Sequence, residues 1–169
     1  KPHTPFQWAP QLSLDESEER MRRLQRQMKM PGIQFKWQNL EVSWLEGVWA
    51  RGDRKLSRLL VDAYHKGCRF DGWREHFDFE KWLQAFQESN VDPTWYLRER
   101  QKEEVLPWDH IDCGLPKQFF ADELEKALKG AATFDCRGGN CHACGVCDFE
   151  QRRMRLTNSQ ASVPETKSD

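Results

Sequence analysis

The sequence predicts a mainly α-helical protein of the α+β class, in which one short strand and a small cysteine-rich loop accompany the helices. Three observations support this fold class. Six segments carry apolar residues at helical spacing between start and stop signals. One stretch, 33–38, alternates apolar and polar residues as a half-buried strand does. Four of the six cysteines lie within the twelve residues from Cys136 to Cys147.

The first predicted helix spans 14–30. Ser13 and Glu16 stand three positions apart, which is the spacing of a capping box at a helix start. Pro31, followed by a glycine, ends the helical pattern. The strand predicted over 33–38 follows directly. Because a lone strand needs another strand to pair with, we expect the rest of its sheet to lie outside this chain, which would then be a fragment.

Five further short helices are predicted between 41 and 129. Each apolar stripe in this region begins or ends beside a residue type that favours a helix terminus. These terminal residues are Gly52, Asp53, Gly67, Asp78, Asp92, Pro93, Pro116 and Gly130. The stripes predict a compact helical region. After Phe149 the periodicity is lost, and we expect 150–169 to be a disordered tail.

The composition argues against a membrane or secreted protein. Apolar residues make up 38% of the chain, charged residues 31%, and the mean hydropathy is -0.88. No apolar run is long enough to cross a bilayer, and the opening residues have no signal-peptide pattern. We therefore expect a cytoplasmic protein with no membrane partner.

The net charge of -1 gives no global reason to expect nucleic acid as a partner. Basic residues do gather at 20–29, directly after an acidic stretch at 15–19. This order matches the dipole of a solvated helix, which is the favoured interpretation, and a phosphate-binding surface is the alternative.

The cysteine-rich loop carries the main chemical signal. Its ligand candidates, the loop cysteines, are Cys136, Cys141, Cys144 and Cys147, in a Cys-x4-Cys-x2-Cys-x2-Cys pattern. Cysteines this close rarely reach disulfide geometry without strain, whereas their thiolates can converge on one metal centre. Gly138, Gly139 and Gly145 permit the turns that such a loop needs.

The spacing leaves the metal open. Cys141, Cys144 and Cys147 match the first three ligands of a bacterial ferredoxin, which favours a [4Fe-4S] cluster with Cys136 as the fourth ligand. Zinc is the alternative, although structural zinc sites more often use two separate Cys-x2-Cys pairs. His142 can replace one thiolate, but we expect it to be an exposed neighbour. Outside the loop, Cys68 and Cys113 are expected to be buried structural thiols.

Two polar segments are weaker candidates. Asp109, His110 and Asp112 lie within four positions and can form an acid–base group, but a loop tied together by side-chain hydrogen bonds is the commoner structure. The segment 69–77 mixes charged and aromatic residues, which can stack on a base or seal a helix junction.

Five segments of the chain, KPHTPFQWAPQ, WLEGVWARGDRKL, GCRFDGWREHF, LPWDHIDCGLPKQF and DCRGGNCHACGVC, resemble the C-terminal half of a family of radical S-adenosylmethionine proteins. Members carry a cobalamin-binding-like domain and a radical barrel before this region. The resemblance covers about 1–149 and implies four parts. These are the end of a TIM-like barrel at 1–38, a helical region at 39–133, a metal or cluster loop at 134–149, and the tail at 150–169.

One motif of that family is missing. The Cys-x3-Cys-x2-Cys loop that holds the radical-generating cluster occurs nowhere in the sequence. The resemblance therefore implies an auxiliary cluster site at the loop cysteines, with S-adenosylmethionine and its cluster bound by a separate N-terminal radical domain. The alternative function is a zinc-stapled module that binds RNA through 20–29 together with Arg152, Arg153 and Arg155.

Overall fold

The computed structural model describes residues 1–138 and 141–150, and the chain divides between Ile111 and Asp112 into two units. The first unit is 1–111 and the second begins at Asp112. This division differs from the sequence-based boundaries after 38 and 133. The tail predicted from 150 onward lies, apart from Glu150, outside the described residues.

The described residues form helices and connecting segments. The α-helices are α1 Leu14–Gln27, α2 Leu40–Arg51, α3 Leu56–His65, α4 Phe79–Glu88, α5 Pro93–Leu97 and α6 Lys117–Leu128, and 3-10 helices cover Pro5–Trp8 and Cys136–Gly138. The mainly α class is confirmed. In the part of the chain that the structure describes, no helix has the length and apolar character needed to cross a membrane.

Local capping explains where several helices begin. The Ser13 hydroxyl accepts the Glu16 amide at 3.1 Å, and the Glu16 carboxylate accepts the Ser13 amide at 2.9 Å, so the capping box is confirmed. Asp78 and Asp92 cap α4 and α5 as predicted. Asn39 caps α2 through two backbone amides, a start signal that the sequence analysis missed.

The strand predicted over 33–38 is wrong. Residues 33–39 form no helix or strand, and no strand occurs within residues 1–138 and 141–150, so the expected barrel edge is not seen. Phe35 and Trp37 do project to the same side, but they stack on each other at 5.5 Å. Alternation alone cannot form a strand, because the backbone needs a second strand to pair with.

Two helix ends also differ from prediction. α1 ends at Gln27 rather than at 30, and Met28 is its C-terminal cap. Asp53 does not cap α3, which begins at Leu56; its carboxylate accepts the amide of Lys55 at 2.8 Å and so stabilises the preceding turn. The helix start therefore lies three residues beyond the residue that signals it.

The core of the first unit lies among α2, α3, α4 and α5. α2 packs against α5 and α1, and α3 packs against α4. The buried residues are Leu45, Val48, Leu56, Leu59, Ala63, Cys68, Trp82, Ala85, Phe86, Tyr96 and Leu97. Trp49 meets Trp82 edge-on at 5.5 Å, which closes one side of this core.

The N-terminal segment is part of this unit. Gln7 and Trp8 are both 2% exposed. The Arg100 amide donates to the Trp8 carbonyl at 2.9 Å, and the Trp108 indole N–H donates to the Gln7 side-chain oxygen at 2.7 Å. Residues before α1 are therefore tied to residues after α5, although neither segment belongs to a sheet.

Arg51 joins these segments to α2. Its buried guanidinium group donates hydrogen bonds of 2.6 to 3.3 Å to four backbone carbonyls, those of Gln7, Ala9, Tyr96 and Arg98. Among the described residues, no carboxylate lies within ion-pair distance of it. Burial, followed by repulsion from nearby Arg100 and Arg98, lowers the pKa of Arg51 to about 10, so the group stays charged at neutral pH.

Replacing Arg51 tests how far the unit depends on these bonds. Arg51→Met leaves buried carbonyls without donors, so we expect the free energy of unfolding to fall by about 2–4 kcal/mol. Urea unfolding followed by tryptophan fluorescence measures this loss. Arg58→Met is the control, because that side chain is 81% exposed and should change stability by less than about 0.5 kcal/mol. An unchanged midpoint for Arg51→Met would contradict the expectation.

Glu104 gives a second prediction, on pH. Arg98 binds both of its carboxylate oxygens, at 2.9 and 2.6 Å, and this bidentate contact is the main reason that the pKa of Glu104 is lowered from 4.5 to about 2. Because the unfolded chain takes up this proton first, the stabilisation is complete above 4.5 and is lost as pH falls towards 2. In wild type, the urea midpoint should fall as pH decreases through this window. Glu104→Gln should remove most of this pH dependence, whereas Glu103→Gln, at an exposed position, should keep the wild-type pH dependence.

Candidate metal centre in the second unit

The second unit is organised by α6. Pro116 precedes the helix, Phe120, Ala121 and Leu124 form its buried face, and Gly130 follows it with a φ of 66°. The start beside Pro116 and the end before Gly130 agree with the sequence prediction. A glycine in the left-handed region after a helix lets the chain turn back along the helix.

Glu123 fixes the returning segment to α6. Its carboxylate accepts the Thr133 hydroxyl at 2.7 and 2.8 Å and the Lys126 ammonium at 2.7 Å. The Lys126 bond, then the Thr133 bond, lower the pKa of Glu123. Residues 131–135, which lead into the cysteine loop, are therefore held against the helix.

A short 3-10 helix carries the first loop cysteine. Asp135 precedes Cys136 and binds Arg137, accepting its backbone amide at 2.9 Å and its side-chain Nε–H at 2.6 Å. This contact lowers the pKa of Asp135 to about 2. The backbone turn on either side of Cys136 is thus closed by a charged pair.

The second and third loop cysteines flank a tight turn. The Ala143 amide donates to the Cys141 sulfur at 3.3 Å. Ala143 lies in the left-handed region at φ 56°, and Gly145, directly after Cys144, has φ 86°. A backbone amide directed at a cysteine sulfur offsets negative charge on that sulfur, so this turn is suited to a thiolate.

His142 is not the exposed neighbour that the sequence predicted. It is half-buried, and its imidazole stacks on Phe119 of α6 at 5.8 Å and meets Phe134 edge-on at 6.0 Å. Its Nδ1 is buried without a hydrogen-bond partner. The sequence shows that α6 carries aromatic residues, but it does not show that one of them contacts the cysteine loop.

The cysteine thiols form no disulfides, and they are not grouped around a common centre. All six cysteines of the chain are unpaired by disulfides; Cys141 is exposed, and the other three loop cysteines are half-buried. Within residues 1–138 and 141–150, no three His, Cys, Asp or Glu side chains are grouped closely enough to hold a metal ion. Thus the structure shows a preformed turn around Cys141 and not a closed ligand shell.

The cysteines outside the loop differ from each other. Cys68 is buried as predicted, and burial is the main reason that its pKa is raised. Cys113 is exposed, so its predicted burial is wrong. The turn that carries it exposes both the thiol and the glycine that follows, and its Sγ–H donates weakly to the Leu115 carbonyl at 3.7 Å.

The weak acid–base candidates occupy turns. The Asp109 carboxylate accepts the Leu106 amide at 2.9 Å in the first unit, and the Asp112 carboxylate accepts the Gly114 amide at 2.8 Å in the second. His110 is exposed in the first unit. Both carboxylates therefore accept hydrogen bonds from nearby backbone, as expected for a loop tied together by side-chain hydrogen bonds.

The segment 69–77 is only partly a helix junction. Phe77 packs against the core, and Asp71 accepts the Trp82 indole N–H at 3.4 Å. Phe70 and Trp73 are 65% and 59% exposed. The segment thus both covers the core and exposes aromatic rings.

Acidic residues accompany the basic residues of α1. Arg22 pairs with Glu18 at 2.6 Å, and Arg20 and Arg23 line a shallow groove that Glu16 also lines. No side chain of α1 is buried. This arrangement agrees with a solvated helix and does not favour phosphate binding. The other predicted RNA contacts, Arg152, Arg153 and Arg155, lie outside the described residues.

No family model, curated protein or solved structure matches the chain.

Gly145 tests the turn geometry. A Cβ added there would lie 3.2 Å from the Pro116 ring and would also require a φ of 86°. We expect Gly145→Ala to open the turn and to speed hydrogen–deuterium exchange in peptides covering 141–150. Gly130→Ala is the control, since its φ is 66° but nothing lies within 4 Å of the added atom. Equal exchange in that region for both variants would contradict a packing role for Gly145.

Proposed function

We propose that the second unit binds a [4Fe-4S] cluster, or alternatively zinc, through the loop cysteines. In this proposal the chain is the C-terminal auxiliary region of a radical S-adenosylmethionine enzyme. The radical-generating cluster and S-adenosylmethionine belong to a separate N-terminal domain, because their cysteine motif is missing from this sequence.

The hydrogen bond from the Ala143 amide to the Cys141 sulfur carries the proposal. It is 3.3 Å long and lies in a turn that costs strain, since Ala143 is a non-glycine residue with a φ of 56°. Strained backbone persists where its surroundings hold it, and such positions cluster at ligand sites. Here the strained turn directs a backbone amide at the Cys141 sulfur, in a segment that contains three more cysteines.

The remaining loop cysteines fit a metal by chemistry rather than by present distance. All four are free thiols. Thiolate sulfur is the ligand that iron–sulfur clusters and structural zinc share. The Asp135–Arg137 contact holds the turn at Cys136, and the Ala143 amide holds the turn at Cys141. Because these cysteines are not grouped, closing the ligand shell requires movement within the loop.

The two metals imply different roles. A [4Fe-4S] cluster held by four thiolates would supply electron transfer, whereas zinc with four thiolates is structural. The crowded Cys-x2-Cys-x2-Cys run favours the cluster. The protein's own contribution is the same for either metal: it positions sulfur and directs backbone amides at it.

Metal analysis after anaerobic purification tests the proposal. We expect about four iron and four sulfide per chain, as in a [4Fe-4S] cluster. Changing any loop cysteine to serine should lower this content, because serine replaces a soft thiolate by a hard hydroxyl. Cys113→Ser is the matched control, an exposed thiol of the same unit that should leave the content unchanged.

The outcomes separate the alternatives. One zinc per chain without sulfide would remove the redox role and keep the site. A chain that holds neither metal after reconstitution with iron and sulfide or with zinc, and whose loop thiols all react freely with iodoacetamide, would overturn the proposal.

A further inference from the structure

His142 lies in a slot between two phenylalanine rings. Its ring plane is 20° from that of Phe119, at a centroid distance of 5.8 Å, and 72° from that of Phe134, at 6.0 Å. Both geometries are favourable for aromatic pairs. The buried Nδ1 has no hydrogen-bond partner. Packing of the ring against the two phenylalanines therefore explains the position of the imidazole better than a hydrogen bond of this nitrogen.

Both walls of the slot belong to one frame. Phe119 is on α6, and Phe134 follows Thr133, whose hydroxyl is bound by Glu123 of the same helix. The slot is thus set by α6 and one anchored segment. Both rings lie outside the 141–147 segment that inserts between them.

The ring that fills the slot sits directly after Cys141 and two residues before Cys144. Fixing this ring restricts the backbone on both sides, including Ala143 with its amide bond to the Cys141 sulfur. We propose that His142 is a positioning residue, whose ring wedges the Cys141–Cys144 turn against α6 so that the two sulfurs face a common metal centre. This inference rests on the proposed metal site.

A wedge and a metal ligand make different demands on the ring. A wedge needs a flat aromatic ring of similar size, which phenylalanine supplies. A ligand needs a ring nitrogen, which phenylalanine lacks. The conservative variant His142→Phe therefore distinguishes the two roles, and His142→Ala removes both.

The experiment measures metal binding by the full chain. Zinc affinity is measured by competition with a chromophoric chelator, and the Co²⁺ complex of each variant gives a spectrum that reports its ligands. We expect His142→Phe to keep the wild-type spectrum and zinc affinity. Supporting residues around a metal site typically contribute about tenfold or more to affinity, so His142→Ala and Phe119→Ala should each weaken zinc binding by about that factor.

The matched control is Leu128→Ala, at a 76% exposed position of the same helix, which should change neither readout. Wild-type affinity in His142→Ala would overturn the inference. An equal loss of zinc affinity in His142→Phe and His142→Ala would also overturn it, because that result would indicate that a ring nitrogen of His142 binds the metal.

Failure of the metal site itself gives a different result. If the wild-type chain binds neither Zn²⁺ nor Co²⁺ and also takes up no iron and sulfide on reconstitution, the proposed function fails. Nuclear Overhauser contacts between the Phe119 and His142 rings then decide the wedge in the metal-free chain. Contacts between these rings in the wild type, together with contacts from the Phe119 ring to the introduced phenylalanine ring in His142→Phe, would support a wedge that orders the turn. Their absence overturns it.

Discussion

The first unit depends on one buried cation that binds backbone rather than an anion. Arg51 supplies donors to four carbonyl groups in segments that have no sheet partner. Buried carbonyls without donors are costly, so these segments can pack beside the helices only if a side chain takes the place of a strand. The guanidinium group does this because its five N–H groups form a planar fork that reaches several acceptors at once.

The same region shows how a buried positive charge is tolerated. Carbonyl dipoles surround Arg51, and Arg100, itself 7% exposed, donates to the Arg51 carbonyl at 2.7 Å and lies 5.3 Å from the Trp108 ring. Burial is the main reason that the pKa of both groups is lowered; the charge of Arg98 lowers both further, and Arg100 also lowers that of Arg51. The negative charge of Glu104, which is bound to Arg98, acts in the opposite direction on the pKa of both groups.

The sequence predicted best what short-range physics determines. The caps at Ser13, Asp78 and Asp92 follow from contacts within three residues, and all three are present. The strand at 33–38 failed because pairing is a long-range property that alternation does not encode. Arg51 was missed for the same reason, since its acceptors lie far away along the chain and a lone arginine at a helix end is usually solvated.

The metal loop was predictable in composition but not in arrangement. Cysteine spacing is local, and it identified the candidate ligands, whose binding stays a proposal. That His142 would be packed between Phe119 and Phe134 depends on how α6 and 131–135 meet, which no spacing rule gives. Cys113 was misjudged because cysteines are usually buried, whereas this one lies in an exposed turn.

The Arg51 hydrogen bonds also bear on the order in which the first unit forms. They join residues 42 to 47 positions apart, whereas each helix closes through contacts four residues apart. Closing chain segments of that length has an entropic cost. The hydrogen bonds offset this cost only when all four acceptors are in place. We therefore expect the N-terminal segment to dock after the helices have formed and to detach early when the unit unfolds.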